Sequence, residues 1–104
     1  VVDELLERLR LARLAPAHPF SLSGGEKRRL SVATVLATSP RVLVLDEPTF
    51  GQDARTWREL VALLAAQRDA GRAVVVVTHD RELVRALDAD EFVLEPAQGR
   101  IAPP

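Results

Sequence analysis

The fold is decided by residues 41–48, which read RVLVLDEP. The run from Val42 to Leu45 is apolar without polar alternation, which is typical of a strand buried on both faces of a parallel sheet. Two adjacent carboxylates, Asp46 and Glu47, and then Pro48 end the run. The stretch therefore predicts a buried parallel strand that carries two acidic side chains at its carboxyl end.

A second apolar run ends in a similar way. Residues 73–77, AVVVV, predict another buried strand, and Thr78-His79-Asp80 follow it directly. Because the carboxyl ends of parallel strands meet at one edge of a sheet, we expect His79 near the two carboxylates. Residues 91–94 are expected to form a third strand. The alternation of strands and helices predicts an α/β fold, a parallel sheet with flanking helices and right-handed crossovers.

Helical periodicity accounts for most of the remaining chain. It predicts a surface helix over residues 2–14, and two prolines then predict an extended loop over residues 15–22. The other expected helices are one that begins at the Ser23 cap and ends before Pro40, one from the Asp53 cap to the Gly71 stop, and a short one over residues 81–87.

Length and composition limit the possible functions. The 104 residues suffice for one small domain or part of one, and 14 Lys plus Arg against 15 Asp plus Glu leave a net charge of −1. This balance provides no broad attraction for nucleic acid, so no nucleic-acid partner is expected. The chain has no Cys and only two His, so any bound metal is expected to have oxygen ligands.

The sequence has no pattern of a membrane span or a secretion signal. Its apolar runs are far shorter than the roughly 20 residues of a spanning helix. The acidic amino-terminal stretch lacks the basic start of a signal peptide, so a cytoplasmic location is expected. Because the chain starts with Val1, contains no Met and begins directly with a helical pattern, we expect it to be a fragment of a longer protein.

A short glycine motif lies at the expected start of the second helix. Ser23 and Glu26 form an S-x-x-E capping box around Gly24 and Gly25. The motif could be an ordinary helix cap, but each glycine in the first turn costs up to about 1 kcal/mol relative to alanine. The glycines also let an anion such as phosphate approach the backbone N–H groups at the positive end of the helix dipole. Both interpretations remain open for this motif alone.

The two carboxylates after the first strand suit a division of roles. Consecutive strand residues point to opposite sides, so one carboxylate of the pair can bind Mg²⁺ while the other lies beside an attacking water. A polar strand end is the structural alternative, but carboxylates leaving an apolar core need a cation, a donor network or a raised pKa. A single histidine such as His79 is more often structural than catalytic. A metal-dependent phosphohydrolase would need several more His ligands, and His18 is the one other histidine in the sequence.

Together these segments resemble the second half of an ABC ATPase domain. The resemblance covers nearly the whole chain and is carried, in this order, by Leu22-Ser23-Gly24-Gly25-Glu26, residues 43–49 (LVLDEPT), Gln52-Asp53 and Thr78-His79-Asp80. It implies a P-loop NTPase-like fold. By this resemblance, residues 1–38 are the end of the helical subdomain with the signature helix, and residues 39–104 are the carboxyl-terminal part of the catalytic core.

The resemblance also implies roles for individual residues. It makes Asp46 the Walker B aspartate acting on Mg²⁺, Glu47 the general base for water and His79 the switch histidine at the γ-phosphate. The signature would contact the γ-phosphate of ATP across a head-to-tail dimer, whose interface the loop from Phe50 to Asp53 would cross. The nucleotide-binding residues implied in this way are Ser23, Gly24, Gly25, Glu26, Gln52 and Asp53.

Variants within the motifs narrow the resemblance. Residues 48–53, PTFGQD, resemble the interface loop of energy-coupling-factor importers of vitamins and metal ions more than the Thr-Ser-Ala-Leu-Asp pattern common elsewhere. Gln52 departs from the frequent Leu, which is expected to alter the packing of this loop. The similarity implies an ATP-hydrolysing importer subunit that uses ATP and Mg²⁺. Its implied partners are a second ATPase domain and integral membrane subunits, which hold it on the inner face of the cell membrane.

The phosphate loop of the family does not occur in this sequence. There is no G-x-x-x-x-G-K-[ST] motif, and Lys27 is the only lysine. By itself the chain is therefore expected to bind ATP weakly and to be inactive. We also expect the isolated chain to be marginally stable or self-associating, because apolar strand edges and faces would be exposed.

Two other functions remain open. Residues 24–27, GGEK, and His79-Asp80-Arg81 also occur in soluble ABC ATPases of translation or DNA maintenance, which share the fold. A degenerate half-domain could instead lend only its signature and interface loop to a catalytic partner. The intact acidic and histidine residues after the two strands argue against this last alternative.

Overall fold

The computed structural model of the protein describes residues 2–9, 11, 23–95 and 100–102. Its elements, in chain order, are α1 (Val2–Arg8), α2 (Gly24–Ala37), β1 (Val42–Asp46), α3 (Ala54–Asp69), β2 (Ala73–Val77), α4 (Arg81–Ala86), β3 (Val93–Glu95) and β4 (Arg100–Ala102). The helices expected after Ser23, after Asp53 and over residues 81–87 are confirmed as α2, α3 and α4. The loop expected over residues 15–22 lies outside the described residues.

β1 and β2 pair in parallel and bring their carboxyl ends to one edge. The register aligns Val42 with Ala73 and Asp46 with Val77. α3 makes the crossover between the two strands, as a parallel connection requires. The ladder continues one residue beyond β1, because the Glu47 amide donates to the Val77 carbonyl at 2.7 Å. The expected parallel α/β arrangement is thus confirmed for these two strands.

The third strand was expected in the same sheet, and this expectation is wrong. β3 pairs with β4 in a separate antiparallel sheet, with Val93 opposite Ala102. Among the described residues the parallel sheet contains only β1 and β2. The physical reason is the short separation between β3 and β4. A short connection closes an antiparallel pair at little entropic cost, whereas a parallel pair needs a long crossover.

The core lies on one face of the parallel sheet, which corrects the expectation of burial on both faces. Leu43 and Leu45 are 0% and 5% exposed and pack with leucines of α3 and α4. On the opposite face Val42 and Val44 are 58% and 64% exposed, and Val77 of β2 is 53% exposed. Among the described residues no element buries this second face, which agrees with the separate expectation that apolar strand faces are exposed in the isolated chain.

α1 ends earlier than the sequence predicts. Its last residue is Arg8, whereas the helical spacing of the sequence predicts a helix up to Leu14. Residues 10 and 12–14 lie outside the described part of the chain. The Leu9 amide still donates to Leu5, but the Leu9 carbonyl accepts the Arg29 Nε at 2.8 Å. Leu9 and Leu11 are buried in the core. The Arg29 side chain of α2 thus bonds to the Leu9 carbonyl, which would accept a backbone N–H if α1 were longer.

Helix caps fix where the motifs lie. Ser23 Oγ accepts the Glu26 amide at 3.1 Å and Glu26 Oε1 accepts the Ser23 amide at 2.8 Å, which confirms the capping box. Asp53 and Asp80 accept the amides of Thr56 and Leu83 at the starts of α3 and α4. Each cap satisfies orphan N–H groups of its helix. Of the described helices, not one combines the length and the apolar character that a membrane crossing needs.

Candidate functional site

Glu47 leaves β1 with an unusual backbone. Its φ is +47°, in the left-handed region that non-glycine residues rarely adopt. Such a conformation costs about 1–2 kcal/mol and persists only where neighbouring contacts hold it. Here the ladder bond to Val77 holds it, and the side chain turns toward the end of β2.

The carboxylate of Glu47 receives three hydrogen bonds from the segment after β2. His79 Nδ1 lies 2.7 Å from Glu47 Oε1, and the His79 amide donates to the same oxygen at 3.0 Å. Thr78 Oγ1 donates to Oε2 at 3.0 Å. The Glu47 side chain is 25% exposed, whereas the His79 ring is fully exposed. The structure therefore brings together the two residues that the sequence assigned to catalysis.

These contacts set the protonation of Glu47. The hydrogen bond from the His79 side chain holds the pKa of Glu47 below its ordinary value; burial opposes this shift, and the hydrogen bonds from Thr78 and the His79 amide support it. A carboxylate that leaves an apolar core needs a cation, hydrogen-bond donors or a raised pKa. Glu47 has hydrogen-bond donors, and its pKa is lowered and not raised. Glu47 is consequently ionised at neutral pH, the form in which a carboxylate can accept a proton from water.

Asp80 is the centre of a second hydrogen-bond network behind Glu47. Its Oδ2 accepts both Thr49 Oγ1 and Trp57 Nε1 at 2.7 Å, while its Oδ1 caps α4 at Leu83. Its own amide donates to Thr78 Oγ1 at 2.9 Å, the same hydroxyl that donates to Glu47. Asp80 therefore joins the loop after β1, α3 and the segment after β2.

The pKa of Asp80 reflects this network. Burial works to raise the pKa of Asp80, but hydrogen bonds from Trp57, Thr49 and the first amides of α4 together hold it below its ordinary value. We call Glu47, Thr78, His79 and Asp80 the edge cluster. The sequence analysis missed Asp80, Thr49 and Trp57 as members of the site. An aspartate directly before a helix was a recognisable cap signal, but its two distant donors were not visible in the sequence.

Asp46 lies apart from the edge cluster although it is the neighbour of Glu47. It is exposed at the end of β1 and lines an open groove together with Gly24, Lys27 and Arg28 of α2. Among the described residues no group of three His, Asp or Glu side chains could hold a metal by itself. A single exposed carboxylate nevertheless fits Mg²⁺, which is commonly held by one or two carboxylates, phosphate oxygens and water.

Residues 23–26, which we call the glycine turn, are open to solvent at Gly24. A Cβ added to Gly24 would meet no atom within 4 Å. The side chains of Ser23 and Glu26 are engaged in the capping box. An anion at this helix start would therefore be bound mainly by backbone N–H groups. Leu22, the first residue of the motif, lies outside the described residues.

The loop over residues 50–53 contacts the glycine turn rather than the edge cluster. Gln52 Nε2 donates to the Gly25 carbonyl at 3.1 Å, and Gln52 Oε1 accepts Arg29 Nη1 at 2.8 Å. Asp53 Oδ1 accepts the Thr56 amide at 2.7 Å as the cap of α3. Both side chains, expected at a nucleotide across an interface, thus make hydrogen bonds within the chain.

The predicted site residues form two groups joined by one loop. Glu47 and His79 belong to the edge cluster, whereas the glycine turn and Gln52 form the second group. Residues 47–53 connect them: buried Thr49 is bound to Asp80, and Phe50 donates its amide to the Glu47 carbonyl at 3.3 Å. A parallel sheet with acidic and histidine residues at its carboxyl edge, beside a glycine-started helix, places the chain among α/β proteins that bind ligands at the carboxyl ends of their strands.

Comparisons with known proteins show what the chain resembles. The family model described as ABC transporter matches residues 1–50. A protein provisionally named HMP/thiamine import ATP-binding protein YkoD, from Bacillus subtilis (strain 168), is 52% identical over 88% of this chain and 17% of its own length. The methionine import ATP-binding protein MetN of Corynebacterium jeikeium (strain K411) is 42% identical over 96% of this chain and 27% of its own length.

Solved structures agree with these sequence matches. The dimeric ABC transporter cassette MJ0796 superposes with a TM-score of 0.74 and 36% identity, over 82% of this chain and 38% of the cassette. CbiO1 from Clostridium perfringens, part of the ABC transporter complex cbiONQ, gives a TM-score of 0.65 and 35% identity, over 97% of this chain and 40% of that chain. The chain is similar to ABC transporter ATP-binding proteins over most of its own length. It spans between 17% and 39% of the length of the first four curated relatives.

Proposed function

We propose that this chain is part of the ATP-hydrolysing subunit of an ABC importer. The observation that carries the proposal is the edge cluster, in which a carboxylate with a lowered pKa is bound by a fully exposed histidine at the carboxyl edge of two parallel strands. An MJ0796 cassette structure described as a post-hydrolysis state bound to ADP and Pi has a TM-score of 0.72 to this chain at 36% identity. That likeness supports ATP as the substrate.

In the proposed mechanism the chain's own residues hold a proton acceptor and a polar partner in place. Glu47 is the general base that accepts a proton from the attacking water, and its left-handed backbone aims it away from the strand axis. His79, whose ring is exposed beside it, contacts the γ-phosphate. Asp46 contributes one oxygen ligand to Mg²⁺, which when bound neutralises charge on the phosphate oxygens.

The glycine turn supplies the second part of the proposed mechanism. Gly24 and Gly25 offer N–H groups at the start of α2, and Ser23 offers its hydroxyl hydrogen, to the γ-phosphate of a nucleotide held by a second ATPase domain. The open space at Gly24 leaves room for that approach. In this assignment residues 1–38 are the end of the helical subdomain and residues 39–104 the carboxyl-terminal part of the catalytic core.

The importer type is proposed from relatives and from residues 48–53. The YkoD relative, at 52% identity, is named for HMP/thiamine import, and CbiO1, at 35% identity, belongs to a cbiONQ complex. We assign the chain to the energy-coupling-factor type on this basis. The second ATPase domain and integral membrane subunits are its proposed partners, and the inner face of the cell membrane is its proposed location.

The proposal is tested by Glu47→Gln in the complete ATP-binding protein, assayed for phosphate release and nucleotide binding. Loss of a general base should lower kcat by about 10²- to 10⁴-fold, with ATP still bound. Glu59→Gln is the matched control, because Glu59 pairs with Arg8 at 2.5 Å on another surface. Native hydrolysis in the Glu47 variant, or no hydrolysis by the unmodified protein, would refute the proposal.

A further inference from the structure

A continuous path of three hydrogen bonds crosses from α1 through α2 to the loop after β1. Arg29 Nε donates to the Leu9 carbonyl at 2.8 Å, and Arg29 Nη1 donates to Gln52 Oε1 at 2.8 Å. Gln52 Nε2 then donates to the Gly25 carbonyl at 3.1 Å. The side-chain amide of Gln52 therefore accepts a hydrogen bond from Arg29 and donates one to Gly25, which lies one turn earlier in α2.

The chemistry of this path depends on an amide. A leucine side chain has neither a donor nor an acceptor, and a carboxylate has no donor. Arg29 and Gln52 are half-buried, where a hydrogen bond to a charged group is stronger than in open water. A carbonyl oxygen has two lone pairs, so Gly25 can accept from Gln52 without giving up a helix bond.

A second contact holds the same loop to the same helix. Arg28 Nη1 donates to the Phe50 carbonyl at 3.4 Å, and its guanidinium lies 5.2 Å from the centroid of the Phe50 ring. Packing around Gly25 is also close, since a Cβ there would lie 3.5 Å from Gln52 Nε2 and 3.6 Å from the Gly51 carbonyl. Residues 50–52 are thus bound to the first two turns of α2 at two places.

We propose that Gln52 is a positioning residue that fixes the loop over residues 50–53 to the glycine turn, so that both move as one unit. This inference rests on the proposed function, in which both segments face a second ATPase domain. It assigns Gln52 a role inside the chain and not at the nucleotide, because both polar ends of its amide are already bonded. Arg29 extends the same unit to Leu9, just beyond α1.

The first test is hydrogen exchange on the complete protein with Gln52→Leu. Loss of both amide contacts should make the peptides over residues 24–30 and 49–53 exchange about 5-fold faster, the effect of one net hydrogen bond on a local opening. Residues 73–80 should exchange as in the native protein. Gln67→Leu is the matched control, because Gln67 Oε1 accepts Arg72 Nη1 at 2.6 Å at the other end of α3.

Kinetics separate positioning from ligand binding. Gln52→Leu should lower kcat about 5- to 10-fold, while the dissociation constant for ATP stays within about 2-fold because Gln52 touches no ligand. Gln52→Glu divides the path: its carboxylate still accepts from Arg29, but it cannot donate to the Gly25 carbonyl. This variant should speed exchange over residues 24–30 and give a kcat between those of the native protein and the leucine variant.

Each outcome decides the proposal. Exchange that rises equally in all segments would mean a general loss of stability, and unchanged exchange in both variants would mean that the path holds nothing; either result overturns the role of Gln52. A rise in the ATP dissociation constant with unchanged exchange would make Gln52 a ligand residue and also overturn it. The exchange measurement does not need turnover, so it tests Gln52 even if the complete protein proves not to hydrolyse ATP.

Discussion

The edge cluster and the glycine turn differ in how much of their chemistry the chain completes by itself. In the edge cluster each carboxylate oxygen of Glu47 has a donor, and Thr78 passes the network on to Asp80. In the glycine turn the cap is complete, yet Gly24 faces open space. One region is closed by its own hydrogen bonds and the other is open to a ligand.

Under the proposed function, this difference matches what each region has to do. A general base must be held in one orientation before its substrate arrives, since misplacement of catalytic groups by about 1 Å can cost 10²-fold in rate. A phosphate site built from backbone N–H groups needs open space instead. Loop 47–53 joins the two, so a change at the open turn can reach the closed cluster through Thr49 and Asp80.

After Glu47→Gln, the largest expected effect comes from removing the exposed histidine of the closed cluster. His79→Ala should lower kcat by about 10²-fold, because a polar group at a developing charge is lost. The same variant should change the free energy of unfolding by about 1 kcal/mol or less, the net contribution of one side-chain hydrogen bond. Phosphate release and urea unfolding of the complete protein measure the two effects. If the loss of activity were fully explained by a loss of folded protein, His79 would be merely structural.

The open turn is tested by filling its space. Gly24→Val should fold as well as the native protein, because Gly24 is exposed, a Cβ there meets nothing within 4 Å, and valine is a better helix former than glycine. Its kcat should fall about 10-fold, because the side chain occupies the approach to the N–H groups.

Gly71→Ala provides the opposite result as a control. Gly71 follows α3 with φ +86°, so alanine there should cost about 1–2 kcal/mol of stability. Its kcat at a temperature where the protein remains folded should be native. If Gly24→Val and Gly71→Ala both left kcat unchanged, the glycine turn would have no part in turnover and only its cap function would remain.

The sequence predicted the closed cluster better than the surface around it. Carboxylates after one apolar strand and His79 after another had to meet once the strands paired in parallel, and they do. The exposed face with Val44 was expected from the missing sheet neighbours and not from the run itself, because an apolar run is the same whether one or two layers cover it. The antiparallel pairing of β3 was missed for a related reason, since a three-residue strand carries no signal for its partner.

The contacts of Gln52 and Asp80 could not be predicted from local patterns. Gln52 contacts Arg29 and Gly25, which precede it by 23 and 27 positions in the chain. Asp80 contacts Thr49 at a separation of 31 positions. Such long-range hydrogen bonds depend on the packed arrangement of α2, α3 and the loop after β1. A cap motif or a strand pattern extends over only a few residues and therefore carries no information about them.

A stability effect is expected from the hidden part of the closed cluster. In Asp80→Asn, the N–H₂ group must face either Thr49 and Trp57 or the Leu83 amide, and it can accept a hydrogen bond from none of them. Unsatisfied donors of this kind cost about 1–3 kcal/mol. The midpoint of urea unfolding should fall accordingly, and kcat should fall less than in His79→Ala.

The control for Asp80 is an exposed aspartate. Asp69 pairs with Arg68 at 3.1 Å on the surface, so Asp69→Asn should change stability by less than about 0.5 kcal/mol. A difference between the two aspartates smaller than the measurement error would mean that the Asp80 network does not stabilise the fold.

Acid should weaken the closed cluster. The pKa values of Glu47 and Asp80 are both lowered in the folded protein. Their stabilising contribution is therefore complete above the unfolded pKa values of about 4, and it is lost as the pH falls through the lower folded values. The unfolding midpoint of the complete protein should thus decrease below about pH 4. In Asp80→Asn part of this decrease should disappear, because one of the two titrating groups is gone; an acid dependence identical to that of the native protein would show that Asp80 is not held ionised by Thr49 and Trp57.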